Sequence, residues 1–211
     1  MGEAPELAAS QSEEDTADSL LLKMRGLTID VSGKDDLAYF GKNTFSKECA
    51  MLGFNFYLLL CELGIFSLGH YGSVGVGQQD DRVGVISVLY LFYKYQLNNS
   101  DMALNLATTL AYLEDTPAEK LSTFMAGRRN SAGVFNLVVY TAYLAHAWND
   151  DVTIRLKDWY SDVGRIYFQS ISEMNAFVWN LLEDLRGFKL FAEERRVRRI
   201  IRKLCQSPRD T

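Results

Sequence analysis

From Phe45 onward the apolar residues of this chain recur at the period of an α-helix and rarely alternate at period two, which selects packed helices over a sheet. In residues 45–63, Met51, Leu52, Phe56, Leu59, Leu60 and Leu63 crowd one broad stripe and its flanks. Residues 82–97 (RVGVISVLYLFYKYQL) are apolar almost all round. Their β-branched start suits a strand, but their length selects a helix. Residues 133–148 form a second strongly apolar segment. Between them, residues 100–113 are periodic behind a Ser100 cap. Thr116-Pro-Ala-Glu119 opens a further helix, ending by Gly127, with a Thr cap, a proline at the first helical position and a closing glutamate. Two more helices are expected over residues 151–171 and 173–188, carrying Trp159 and Trp179, and a basic one over 189–204. The expected fold is all-α, a single irregular bundle of about seven or eight helices.

The ends of the chain differ in kind. Residues 1–17 are small, polar and acidic, a disordered leader by composition. Residues 18–188 form the helical scaffold, and residues 189–211 the basic amphipathic helix and tail. The net charge of −5 hides this asymmetry: residues 1–20 hold six acids and no base, whereas residues 189–211 hold eight bases against three acids. An acidic chain does not bind nucleic acid over its whole surface, because phosphate attraction needs clustered positive charge. Any such contact is confined to the C-terminal cluster. Cys49, Cys61 and Cys205 leave one thiol over in any pairing scheme, which points to reduced cysteines inside a cell. The start of the chain lacks a secretory pattern. The apolar run at residues 51–66 is broken by Asn55 and Glu62, so no membrane span is expected.

Catalytic chemistry finds little support. Gly72-Ser-Val-Gly75-Val-Gly77 lacks the Lys-Ser/Thr ending and the preceding strand of a phosphate loop, and reads as a flexible connection. The adjacent acids Asp80/Asp81 and Asp150/Asp151 fall at expected helix starts, where they complement the macrodipole. His70 sits in the glycine segment and His146 ends an apolar helix, places where a lone histidine packs or caps. No metal-ligand spacing occurs. No catalytic residue, metal or cofactor is expected, nor a small-molecule substrate.

The segment Arg195-Arg-Val-Arg-Arg-Ile-Ile-Arg-Lys203 has more content. Val197, Ile200, Ile201 and Leu204 form one apolar stripe, and Arg195, Arg196, Arg198, Arg199, Arg202 and Lys203 occupy the remainder. Such a face suits phosphate contacts, an acidic partner surface, or nuclear import. A merely solvated face is disfavoured, because like charges four residues apart repel without a counter-surface.

Three segments together resemble the family of subunit 1 of the small-nuclear-RNA-activating protein complex. Phe45-Ser-Lys-Glu48, running into Phe54-Asn-Phe-Tyr57, looks like its early aromatic helix. Residues 82–97 are similar to its central Arg-Val-Gly, Leu-Tyr and Tyr-x-x-Gln-Leu helix, and Val152-Thr-Ile-Arg-Leu-Lys-Asp-Trp159 to its Ile-Arg and Leu-Lys-Asp-Trp. In the family the second and third segments lie close together, whereas residues 98–151 separate them here. The resemblance implies a nuclear, non-enzymatic scaffold that grips a larger Myb-repeat subunit and a zinc-bearing subunit on small nuclear RNA promoters. It implies partner contacts at Phe45, Phe54, Tyr57, Arg82, Tyr90, Tyr93, Tyr95, Arg155, Lys157 and Trp159. Promoter DNA is then met mainly through the complex, with the basic helix supplying phosphate contacts that carry no sequence information. The alternative expectation is a helical RNA-coating protein that self-associates through its aromatic surface.

Overall fold

The computed structural model describes residues 36–66, 82–126, 133–150 and 154–206. Among the described residues every regular element is helical: nine α-helices and one short 3-10 turn. They are α1 (Asp36–Asn43), α2 (Lys47–Glu62), α3 (Arg82–Lys94), α4 (Asn99–Asp115), α5 (Ala118–Ala126), α6 (Gly133–Asn149), α7 (Leu156–Asp162), the 3-10 turn Gly164–Ile166, α8 (Ile171–Arg186) and α9 (Glu194–Leu204). The count exceeds the expected seven or eight by α1, which precedes the first expected helix, while the described part of the expected 151–171 helix is shortened to α7 and the 3-10 turn. The leader 1–17, the glycine segment 72–77 with His70, and Asp80, Asp81 and Asp151 lie outside the described residues.

The antiparallel neighbours α4 and α6 make the most extensive helix–helix contact, with α3 against α6 and α9 against α4. Helix α2 touches α1, α3, α4 and α9, and α8 closes the far side against α5, α6 and α7. The described helices within residues 98–151, α4 and α6 above all, are therefore part of the core rather than an appendage. Leu106, Leu110, Tyr112, Leu137, Val139 and Tyr140 from this stretch are all sealed from solvent. The β-branched residues at the start of α3 become helical because Val85, Ile86 and Val88 are enclosed by neighbouring helices, and that burial outweighs their mild local preference.

Local chemistry sets the ends. Ser46 Oγ accepts from the Cys49 amide at 3.0 Å and starts α2. Asn98, not Ser100, caps α4, its Oδ1 accepting from the Asp101 amide at 3.0 Å. Thr116 is not a cap: its hydroxyl donates back to the Tyr112 carbonyl at 2.8 Å, finishing α4 rather than starting α5. Ser170 caps α8 by accepting from the Glu173 amide, while Glu173 accepts from the Gln169 amide at 2.8 Å. Gly187, at φ 53°, ends that helix in the left-handed conformation glycine tolerates. At Gly53 a Cβ would fall 2.5 Å from Leu89 Cδ1 and 3.0 Å from Phe40 Cδ1. The missing side chain is what lets α2 approach α3 and α1 so closely.

Asp150 does not begin a helix either. It follows α6, its amide bonding to the His146 carbonyl at 3.1 Å. Its carboxylate takes the His146 Nδ1 proton at 2.6 Å and an Asn105 amide proton at 2.8 Å. The Ile154 backbone N–H donates to His146 Nε2 at 2.9 Å, which fixes the proton on Nδ1. Asn149 completes the network by donating to Asn105 Oδ1 and Thr108 Oγ1, both at 3.0 Å. This polar cluster locks the end of α6 to α4 and to the segment leading into α7.

Candidate partner and nucleic-acid interface

Helix α9 starts at Glu194, five residues later than expected, and lays Val197, Ile200 and Leu204 into the core. Asn55 on α2 donates to the carbonyls of Leu204 at 2.8 Å and Gln206 at 2.9 Å, satisfying groups that a helix end leaves open. The sequence suggested six equivalent bases facing outward; the structure divides them. Arg196 is tied to Asp115 and lies 3.8 Å from Glu114. Arg199 reaches Glu114 at 3.2 Å, and Lys203 lies 3.7 Å from Glu62. The counter-surface thus lies on α4 and α2 of the same chain, and Arg196 is not an outward phosphate ligand.

Arg195, Arg198 and Arg202, spaced i, i+3 and i+7, share the outward face. Arg195 and Arg202 make no ion pair among the described residues, and Arg198 holds only the exposed Glu194 one turn back. With α9 anchored underneath, these three arginines form a fixed positive strip on an acidic molecule.

The expected partner-binding residues also separate into groups. Phe45 and Tyr93 are exposed and stacked, ring centroids 3.9 Å apart and planes at 5°, with Tyr90 half-buried beside them at 5.9 Å. Phe54 and Tyr57 are half-buried, Tyr57 lying between Phe40 and Phe66 at 5.9 and 5.2 Å. Arg82 turns inward rather than toward a partner. It pairs with Asp36 at 3.0 Å with its guanidinium 3.9 Å above the Tyr39 ring, bolting α1 to α3. The Tyr95 hydroxyl donates to Asp162 at 3.0 Å, and Lys94 holds the other oxygen at 2.5 Å. Burial and the Asp162 carboxylate push the Tyr95 phenol above its ordinary range. Arg155 and Lys157 are exposed, Arg155 pairing with Asp158 at 2.9 Å.

Trp159 requires a correction. It is 0% exposed, enclosed by Phe92, Tyr140 and Tyr143 at 6.3, 6.4 and 5.2 Å. It is an anchor for this chain's own core and not a ring offered to another molecule.

The three resembling segments converge around α3 despite their separation in sequence. Phe45 stacks on Tyr93, and Phe92 meets Trp159 edge-on.

Sequence reasoning overlooked a second set of exposed rings: Trp148, Trp179, Phe188 and Phe191. The signal was present for Trp179, which lies off the buried α8 stripe of Met174, Phe177, Val178, Leu181 and Leu185. For Phe188 it was hidden by carrying the 173–188 helix two residues too far, and for Phe191 by assigning residues 189–193 to the last helix.

Both His146 ring nitrogens are committed to structural bonds, which leaves no lone pair for a substrate proton. The crevice lined by Leu59, Leu63, Leu110 and Ile200 between α2, α4 and α9 holds only about 20 Å³, room for a single water. Among the described residues no group of three or more His, Cys, Asp or Glu side chains is placed to hold a metal ion. No described helix is long and apolar enough to cross a membrane. Compared with protein-family models, curated proteins and solved structures, the chain matches none at a significant level.

Proposed function

We propose that this protein is a non-enzymatic scaffold subunit of a nucleic-acid-bound assembly, the small nuclear RNA promoter complex being the one its sequence resembles. The observation that carries this reading is the spatial convergence of the resembling segments on α3, ending in the exposed Phe45–Tyr93 stack. Large rings at a surface, fixed by a rigid core, are what obligate interfaces use as anchors. On this reading a Myb-repeat subunit and a zinc-bearing subunit cover that side, α9 steadies promoter DNA through its phosphates, and the site of action is the nucleus.

Affinity purification from the native source tests it. The two partner chains should co-purify with the protein, and Phe45→Ala with Tyr93→Ala should release them while the isolated fold persists. Recovery of the protein without either partner would sink the reading.

A second reading, an RNA-coating protein that self-associates, draws on a different observation. Helices α4 and α6 make the most extensive contact in the core, which favours a domain that folds as a single chain. Its exposed rings and arginine strip then remain for RNA and for further copies. Oligomers that form from the purified protein only with RNA, and dissolve on nuclease treatment, would select it over the first.

A further inference from the structure

The seven residues between α8 and α9 are held far more tightly than a connecting loop requires. Three consecutive carbonyls accept bonds from side chains beneath them. Lys189 takes one from Arg186 Nε at 3.0 Å, Leu190 from the Tyr112 hydroxyl, and Phe191 from Arg186 Nη2 at 3.3 Å. Arg186 is itself anchored. It donates to the Tyr112 carbonyl at 3.2 Å, lies 3.7 Å from Asp115, and has its guanidinium 4.4 Å from the Tyr112 ring centre. Phe188 has φ 62°, a left-handed conformation costly for a bulky side chain. Backbone strain and a set of exposed and partly buried side-chain bonds are invested in a segment whose rings face water: Phe188 is 51% exposed, Phe191 70%, and Trp179, 5.4 Å from Phe188, 57%.

We propose that Trp179, Phe188 and Phe191 form a stacking platform for the bases of a single-stranded nucleic acid whose phosphates lie along Arg195, Arg198 and Arg202. The occupant follows from charge complementarity and spacing. Phe191 precedes Arg195 by four residues, and the arginine strip extends about 10 Å along α9, long enough to meet successive phosphates of one strand. Bases stack on aromatic faces without regard to sequence, while cations follow the backbone. Exposed Glu183 and Asp184 border the rings on α8, which directs the phosphates toward α9. This inference deepens the α9 phosphate contact proposed above and rests on it.

The test uses the full chain, a 12-nucleotide oligo(U) RNA, and heparin as a polyanion without bases. In a Trp148→Phe background, oligo(U) should quench the exposed Trp179 emission. Trp179→Ala with Phe191→Ala should weaken oligo(U) binding about 10- to 100-fold and leave heparin binding within about twofold. Arg195→Gln, Arg198→Gln and Arg202→Gln together should weaken both ligands and reduce the salt slope by about 2. Phe188→Gly should weaken oligo(U) while holding or raising the melting temperature, because glycine accepts that backbone angle; a purely structural ring would lose both together. If the ring variants bind oligo(U) like the parent while the arginine variant does not, stacking is wrong and the phosphate contact stands. If the arginine variant also binds normally, the α9 reading itself fails. If the ring variants lose only self-association, the platform belongs to a second copy and the proposal is overturned.

Discussion

The three thiols sit in sharply different surroundings, and their chemistry should show it. Cys49 is buried near the start of α2, and desolvation pushes its thiol from the ordinary 9.0 up to about 11. Cys61 and Cys205 are exposed. A thiol-specific reagent at pH 8 should therefore modify two cysteines rapidly and the third only at the rate of opening or unfolding. Three fast sites would refute the burial of Cys49. The same burial links stability to pH. The folded state holds the Cys49 proton more firmly than the unfolded chain, so its contribution is complete below pH 9 and is lost as pH rises toward 11. Burial likewise raises the phenols of Tyr112 and Tyr140 and of the partly buried Tyr143, and these add to the loss at still higher pH. Urea midpoints should accordingly be flat from pH 7 to 8.5 and fall steeply above pH 9. Replacing Cys49 by alanine should remove the earliest part of that fall.

At the scale of elements, the His146 cluster is where a single change should spread furthest. His146 joins α6, α4 and the entry to α7 through bonds to Asp150 and to the Ile154 amide. His146→Ala strands a buried N–H and an Asp150 oxygen, a loss of about 2–4 kcal/mol, measurable by chemical denaturation. A loss below about 1 kcal/mol would mean the network is dispensable. Much of the element pattern was readable beforehand, since periodicity placed α2, α3, α4, α6 and α8 within a few residues. What sequence could not supply was the side-chain bookkeeping at their ends. Thr116 carries a good cap signature, yet its hydroxyl turns back to Tyr112, because α4 ends where α5 needs its cap. Trp159 resembles an interface ring by type and is instead sealed by rings from α3 and α6. The late start of α9 depends on Arg186 and Tyr112 capturing three carbonyls, and Tyr112 is distant in sequence. No local pattern encodes such a clamp.

For the whole molecule the proposed function asks one basic helix to serve both folding and binding. Like charge on α9 looked intolerable without a partner, yet Glu114, Asp115 and Glu62 supply much of the compensation from within the chain. These acids are remote from α9 in sequence, so only the packing of α9 on α4 and α2 reveals them. The helix therefore has a flank that holds the fold and a crest that faces outward, and charge reversal should distinguish the two. Arg196→Glu sets a third carboxylate against Glu114 and Asp115, and should destabilise the domain by about 1–2 kcal/mol. For a domain of this size that is a fall of roughly 2–8 °C in melting temperature. Arg195→Glu and Arg202→Glu break no ion pair among the described residues and should shift it by no more than about 1 °C. Added salt should narrow the gap, since the flank pairs are partly exposed and screened. Nucleic-acid affinity should fall for the crest variants at temperatures where all three proteins remain folded. Equal thermal shifts for crest and flank would show that the ion pairs do not divide the helix, and that its six bases act as a single undifferentiated charge.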